Sequence, residues 1–232
     1  MESDIYLKIT NEHENHHNYQ YHDGLNILIE PFNHNINESC GPGGFYFTTK
    51  KYIFDYFDYG IYLREVRLPL SDSDFCMVTN LHRNKCRANK IILGERYSLF
   101  EPATYIKLRL DLNNFANREK VMRFATRYGS IQLLEWLCTT YHQICNPWVI
   151  NIASFYGYIH VLDWWLKNGS PLNYNAYAMY YASIRNHIGV LDWWLKSGLE
   201  LKYDKNAIND VLRENINPQI SVWWENSGLQ IS

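Results

Sequence analysis

The stretch YIHVLDWWLKNG at 158–169 returns almost unchanged as HIGVLDWWLKSG at 187–198. Two more distant copies are QISVWWENSG at 219–228 and SIQLLEWL at 130–137. A tryptophan aligned in all four copies recurs at intervals of 28, 29 and 30 residues, at Trp136, Trp164, Trp193 and Trp223. A nearly fixed period of this length is typical of a solenoid, in which each repeat packs against its neighbours.

Each copy has the pattern of the second helix of a helix pair. In 158–169 the apolar residues share one face, and Asp163 and Lys167 lie four residues apart on the other, a spacing at which they can pair. Asn168 and Gly169 then end the helix. A first helix precedes each copy, and one small residue in it lets neighbouring helices approach closely: Ala125, Ala153 and Ala182.

This order of a helix with a small residue, a turn, I-x-V-L-x-W-W-L and N/S-G resembles the ankyrin repeat A-x-x-G-H-x-E-V-V-x-L-L-L-x-x-G. The match covers residues 115–232, although the period is shorter than the usual value of about 33 residues and the T-P-L-H opening is absent. Paired tryptophans replace the two leucines of the ankyrin pattern. In these features the chain resembles the divergent ankyrin-repeat proteins of giant DNA viruses such as mimivirus.

The paired tryptophans occupy the core positions of the repeated helix. We therefore interpret them as packing residues rather than as a box that binds a ligand. The predicted repeat core consists of Trp136, Trp164, Trp165, Trp193, Trp194, Trp223 and Trp224.

Residues 1–108 contain no repeat and alternate between apolar and polar residues in several short stretches. Strands are predicted at 5–10, 25–30, 45–49, 60–69 and 89–94, and helical spacing appears at 50–57 and 102–110. The block resembles the non-repeat N-terminal domain of the same viral proteins, to which no activity is attached. With a linker at 109–114, we expect an α+β N-terminal domain followed by a short all-α ankyrin-like solenoid of about four repeats at 115–232.

Composition narrows the classes of function. The 22 Lys and Arg residues nearly balance the 24 Asp and Glu residues, which argues against a globally basic protein that binds nucleic acid. No apolar stretch approaches the roughly 20 residues of a membrane span, and the start MESDIYLKIT does not have the pattern of a secretory signal. Five cysteines without a C-x-x-C pair fit reduced thiols. We expect a cytoplasmic protein, in the host cytoplasm if it is viral, with a place in the virion left open.

Two polar clusters of the N-terminal block invite functional interpretations. The histidines of the first cluster crowd one segment for which no strand or helix is predicted, so they indicate a solvated loop rather than a metal site: His13, His16, His17 and His22. The basic residues of the second predict a solvated loop beside a strand: Arg83, Lys85, Arg87 and Lys90. The GPGG at 41–44 predicts a tight turn, because the spacing and the following helix of a phosphate loop are both absent.

The same block also resembles, loosely, an ADP-ribosyltransferase domain. That resemblance rests on HDG at 22–24, GGFYFTT at 43–49 and the strand that carries Glu65. It implies that His22 and Tyr46 hold NAD and that Glu65 polarises the ribose. An NAD-dependent transferase targeted by the repeats is therefore an alternative function, and a structural component of the virion is another.

The function that we expect is a non-enzymatic module for protein–protein interaction, a monomer without cofactor, metal or catalytic residue. Its partner is a protein, and the viral resemblance implies a protein of the host. Candidate contacts are the residues left over once the repeat core is assigned, with Tyr174 and Tyr203 as the strongest anchors because tyrosine offers a large area with few torsions to freeze. The full set is His142, Asn146, Tyr156, Asn173, Tyr174, Arg185, Tyr203 and Asp204.

Overall fold

A computed structural model describes residues 5–38, 41–80, 84–142, 147–168, 174–214 and 217–231. The chain divides into two compact units, Met1–Val121 and Met122–Ser232. The first is rich in sheet and the second is helical, in the predicted order. The division falls inside a helix, whereas the sequence predicts a linker at 109–114.

The first unit is built on a seven-stranded antiparallel sheet. Its order is β4-β9-β6-β1-β5-β8-β7, so the first strand of the chain lies at the centre. A separate hairpin of β2 and β3 lies between β1 and β4 in sequence. The strands are β1 (Tyr6–Thr10), β2 (Asn15–His16), β3 (Tyr19–Gln20), β4 (Gly24–Ile27), β5 (Phe45–Thr49), β6 (Tyr62–Arg67), β7 (Met77–Asn80), β8 (Lys85–Ala88) and β9 (Lys90–Ser98).

Helices connect and follow the strands. A 3₁₀ helix spans Lys50–Tyr59 and directly follows β5, and α1 spans Pro102–Lys107. The GPGG segment is a turn in which Gly43 has a φ of 91°, and a Cβ there would lie 2.7 Å from the Cβ of Asn33. Glycine is therefore required at this position, and the segment enters a strand rather than a helix.

The basic run is not the solvated loop that the sequence predicts. Lys85 and Arg87 belong to β8, and Lys90 begins β9. Arg87 is buried and donates hydrogen bonds to the carbonyl oxygens of Glu38 and Asn35. The prediction was wrong because these residues belong to strands and because Arg87 reaches carbonyl acceptors 49 and 52 residues away in sequence. Arg83 lies outside the described residues.

The described residues of the second unit form consecutive helix pairs, as the period predicts. The pairs are α2 (Phe115–Arg127) with α3 (Ile131–Tyr141), α4 (Pro147–Tyr156) with α5 (Ile159–Lys167), α6 (Tyr177–Ile184) with α7 (Ile188–Lys196), and α8 (Lys205–Arg213) with α9 (Pro218–Asn226). Successive first helices α4, α6 and α8 pack against one another, and so do the second helices α5 and α7. Contacts between equivalent helices of successive pairs are what the period of the sequence predicts.

The two tryptophans of each pair have different surroundings. Trp165, Trp194 and Trp224 are at most 1% exposed and form the core between the helices. The tryptophan before each of them is only half-buried. Asp163 accepts a hydrogen bond from the indole of Trp193. Along the described chain, no helix combines the length and the apolar character that crossing a bilayer requires.

Candidate partner-binding surface

The two residues predicted as the strongest anchors serve to pack the repeats. Tyr174 is 8% exposed, its ring lies 5.2 Å from that of Trp194, and its hydroxyl donates to the carbonyl oxygen of Glu200 at 2.7 Å. Burial raises the pKa of the Tyr174 hydroxyl. The prediction of an open anchor was therefore wrong for Tyr174, because its area is already used within the solenoid.

Tyr203 occupies the equivalent place one repeat later. Its ring lies 5.5 Å from that of Trp224, and its hydroxyl donates to the carbonyl oxygen of Gln230 at 3.1 Å. The side chain is half-buried. Both tyrosines thus pack a tilted ring against the buried tryptophan of the helix pair that follows, and only part of the ring of Tyr203 is available to a partner.

The remaining connector candidates are divided between local structural roles and undescribed positions. Asp204 caps α8, because its carboxylate accepts from the backbone N–H groups of Asn206 and Ala207. His142 ends α3 in the left-handed conformation, with a φ of 47°, and its side chain is exposed. Asn146 and Asn173 lie outside the described residues.

Tyr156 and Arg185 lie on a continuous aromatic surface of the first helices. The guanidinium of Arg185 lies 4.1 Å from the ring centroid of Phe155, which contacts the ring of Tyr156 at 5.0 Å and the ring of Tyr181 at 5.6 Å. These contacts join α4 to α6. We call the surface the aromatic face, and it consists of Phe155, Tyr156, Tyr158, Tyr177, Tyr180, Tyr181 and Arg185.

The aromatic face is ordered by ring contacts and open to solvent. Tyr156 stacks on Tyr158 at 5.9 Å, and Tyr177 stacks on Tyr181 at 5.8 Å. Tyr177 is 56% exposed, and Arg185 is also exposed. Tyrosine and arginine are the residue types that most often dominate binding energy in protein interfaces. The sequence pattern YAMYYASIR at 177–185 carries this signal, and of its aromatic and basic residues only Arg185 is among the predicted contacts.

Each of the three residues named by the ADP-ribosyltransferase resemblance has its own hydrogen-bond partner. His22 is exposed, and its ring contacts its neighbour at the carbonyl oxygen of Asp23. The hydroxyl of Tyr46 donates to the carbonyl oxygen of Gly41, while the carboxylate of Glu65 accepts from Tyr97 at 3.0 Å. The side chains of Tyr46 and Glu65 therefore have different partners. Tyr46 lines a pocket between β1 and β5, and neither His22 nor Glu65 is among the residues that line it.

The histidine-rich segment lies in and around the β2–β3 hairpin. His13, His16, His17 and His22 are exposed, and the rings of His16 and His17 lie 3.9 Å apart. Within the described ranges, no group of three or more His, Cys, Asp or Glu side chains is arranged to hold a metal ion. The hairpin is fixed from its other face, where Glu14 accepts from the buried Arg64 at 3.1 Å.

Relatives of the chain are found among proteins of Acanthamoeba polyphaga mimivirus. One named as an ankyrin repeat protein is 40% identical over 136 residues, which is 58% of this chain and 67% of the relative. A second with that name is 39% identical over 132 residues, covering 56% of this chain and 40% of the relative. An uncharacterized protein is 41% identical over 138 residues, 58% of this chain and 97% of the relative.

The chain belongs to the ankyrin-repeat family of mimivirus proteins. No general protein-family profile matches it, and no solved structure does. The period of 28 to 30 residues and the tryptophan pairs differ from the usual ankyrin repeat, which is consistent with the absence of a matching profile.

Proposed function

We propose that the second unit is a non-enzymatic interaction module, an ankyrin-like solenoid of about four repeats that binds a partner protein. The names of the relatives support this class of function. The observation that carries the proposal is the aromatic face, where an exposed Tyr177 and an exposed Arg185 flank rings already held in place by one another. Such rings lose little conformational entropy on binding.

The partner that this surface fits is a folded or extended protein segment with apolar side chains for the rings and a carboxylate for Arg185. Because the relatives are viral proteins, we propose that the partner is a protein of the host cytoplasm. We also propose that the chain binds this partner as a monomer and without a cofactor. Of the predicted contacts, Tyr156 and Arg185 belong to the aromatic face. His142 is exposed but does not belong to that face.

Quantitative affinity capture from an amoebal lysate tests the proposal. The bait is the full chain, compared with a double variant of the aromatic face, Tyr177→Ala with Arg185→Ala. The matched control replaces two exposed residues of the second helices, Lys167→Ala with Lys196→Ala. All three baits must show the same circular dichroism and the same urea midpoint.

We expect recovery of the partner to fall about tenfold or more with the aromatic-face variant, since two anchors of an interface are removed. The control should recover as much as the wild type. Equal recovery by all three baits would place the binding elsewhere in the chain. A thermal shift of the full chain with NAD, lost in Tyr46→Phe and in Glu65→Gln, would instead favour the transferase alternative.

A further inference from the structure

The first unit contains a pocket at the point where two central strands separate. Strands β1 and β5 are in register at Tyr6–Thr49 and Leu7–Thr48. A pocket of about 100 Å³ opens beyond this point, and residues of β1, β5 and β8, of the 3₁₀ helix and of the β2–β3 hairpin line it. The pocket is thus a product of the sheet topology and not of a surface loop.

Lys8 lines this pocket, and its side chain is almost completely buried. It is 5% exposed, its Nζ donates to the carbonyl oxygen of Tyr46 at 2.9 Å, and it lies 4.4 Å from the ring centroid of Tyr21. Both groups are neutral, and among the described residues no carboxylate contacts the Nζ of Lys8. A carbonyl and a ring compensate a buried charge only in part, so these surroundings favour the uncharged amine over the ammonium.

The charged neighbours of Lys8 act in the same direction or are matched by partners of their own. Arg64 stands opposite Lys8 on β6 and is paired with Glu14 and Asp23. The pKa of Lys8 is lowered to about 7, first by burial and then by the charge of Lys85. Burial is the larger of these two causes, and it acts whether or not Lys85 is paired.

Other titratable groups that line the pocket do not compete with Lys8 as a nucleophile near neutral pH. The pKa of His16 is lowered to about 4 and that of Tyr21 is raised, in both cases mainly by burial. An uncharged Lys8 keeps an N–H for the carbonyl oxygen of Tyr46 and gains a lone pair on Nζ. The other lining groups of this kind are Lys85, Tyr46, Tyr56 and Tyr59.

The size of the pocket limits what can reach Lys8. A cavity of about 150 Å³ accepts benzene. A volume of about 100 Å³ accordingly encloses a compound of about four non-hydrogen atoms. Phe47 and Ile53 supply apolar walls, and the exposed ring of Tyr59 marks the side that faces solvent. A short aliphatic compound therefore fits, and an aromatic one does not.

We propose that Lys8 is a nucleophilic amine that binds a small aliphatic aldehyde covalently, as a Schiff base. The lone pair of Nζ attacks the carbonyl carbon, the π electrons of the C=O bond move to oxygen, and a proton passes from nitrogen to that oxygen. Loss of water then forms the C=N bond, so that amine and aldehyde give imine and water without an oxidant or reductant. Lysine amines that a pocket desolvates are known to react in this way.

The aldehyde is favoured over other electrophiles by the same burial that favours the free amine. An imine can remain uncharged, whereas the carbamate formed from carbon dioxide adds a negative charge, which is costly to bury. The reaction is reversible by hydrolysis, so the pocket would hold the aldehyde as a ligand rather than consume it. This site is independent of the protein-binding function proposed for the second unit.

Reductive trapping on the full chain tests the proposal. The chain is incubated with propanal and sodium cyanoborohydride in an amine-free buffer at pH 7, and the propylated lysines are mapped by mass spectrometry. Cleavage before aspartate residues places Lys8 in peptide 4–22, which separates it from the α-amino group of Met1. Lys51, an exposed lysine of the same unit outside the pocket, is the internal control.

We expect Lys8 to be modified at least about tenfold faster than Lys51 at pH 7. An ordinary lysine amine, with a pKa of about 10.4, is unprotonated there in fewer than about one molecule in a thousand. The gain in rate is smaller than the gain in free amine, because a less basic amine is also a weaker nucleophile. The ratio of the two rates should fall by more than about tenfold between pH 7 and pH 9, as the free amine of Lys51 increases and that of Lys8 levels off.

Two further measurements tie the reactivity to the folded pocket. Benzaldehyde, which is larger than benzene, should not show the preference for Lys8, and in urea the two lysines should react at similar rates with propanal. The proposal is overturned if Lys8 reacts no faster than Lys51 at pH 7, if the ratio of rates does not change with pH, or if the preference persists with benzaldehyde or in the unfolded chain.

Discussion

The indole nitrogen of Trp193 donates a hydrogen bond of 2.8 Å to the carboxylate of Asp163, a residue that stands 30 positions earlier. The same relationship joins Trp223 to Asp192 at 2.7 Å and Trp164 to Glu135 at 3.1 Å. In each case the acceptor is the residue directly before the preceding repeat's first tryptophan. We call these three hydrogen bonds the ladder, because they connect consecutive helix pairs and fix their register.

The ladder explains why an acidic residue recurs before the tryptophan. In the last copy Val222 takes this position, and its side chain is 53% exposed. The half-buried tryptophans thus bind neighbouring repeats to one another, whereas the fully buried ones fill the core.

Removing one step of the ladder should destabilise the second unit by a moderate amount. We expect Asp163→Ala and Trp193→Phe each to lower the free energy of unfolding by about 1–2 kcal/mol, because a charge-assisted hydrogen bond is lost in a half-buried place. All eight tryptophans lie in the second unit, so fluorescence-detected urea unfolding reports on it.

A double-mutant cycle isolates the pair. The double variant should cost less than the sum of the single ones by about 1 kcal/mol, which is the coupling between contacting residues. Lys167→Ala, on the same helix as Asp163 and exposed, is the control and should change stability by less than about 0.5 kcal/mol. Full additivity of Asp163→Ala and Trp193→Phe would show that the hydrogen bond contributes nothing.

The two tryptophans of one pair should respond differently to truncation. Trp194 is 1% exposed, so Trp194→Ala removes a large core side chain and should cost about 3–5 kcal/mol. Trp193→Ala, one position earlier and half-buried, should cost less. Urea unfolding of the two variants side by side checks this order. An equal or larger loss from Trp193→Ala would mean that the ladder, and not the core, dominates stability.

Tyr174 should behave as a core residue and not as a binding anchor. Tyr174→Ala removes a ring that packs on Trp194 and should cost about 3 kcal/mol, close to other large-to-small core changes. Tyr174→Phe loses only the hydrogen bond to Glu200 and should cost about 1 kcal/mol. Thermal unfolding distinguishes the two. A Tyr174→Ala variant with wild-type stability and weaker partner capture would restore the original assignment of Tyr174 as an anchor.

The elements that local pattern specifies were predictable from the sequence. The strand at 45–49 has the predicted bounds because FYFTT consists of residues that favour strands. The helix pairs followed from the period, since a repeat reveals its own boundaries by recurrence. The copy at 187–198 contains α7 at Ile188–Lys196, within one or two residues of the pattern.

What depends on distant contacts was not predictable. Tyr174 is polar at its tip and stands in a connector, and only the position of Trp194 in the next pair shows that it is buried. Arg87 is similarly buried through carbonyl acceptors about 50 residues away. Lys8 stands in a strand of alternating apolar and polar residues, and that pattern does not show that its side chain is buried against β5. The aromatic face likewise depends on α4 lying next to α6.

Lys8 should give the first unit a stability that rises with pH. Its pKa is lowered to about 7 in the folded chain from an ordinary value of 10.5, so between these values the unfolded chain binds more protons. The free energy of unfolding then increases with pH in this window, by about 2 kcal/mol between pH 7 and 9. Below pH 7 both states are protonated and the penalty for burying the charge is fully present.

Lys8→Met removes the titrating group, so its stability relative to the wild type should fall by that amount over the same range. Urea unfolding followed by circular dichroism at pH 7, 8 and 9 measures the difference, with Lys51→Met as the control of equal charge. Parallel pH profiles for the wild type and Lys8→Met would show that Lys8 keeps an ordinary pKa in the folded chain.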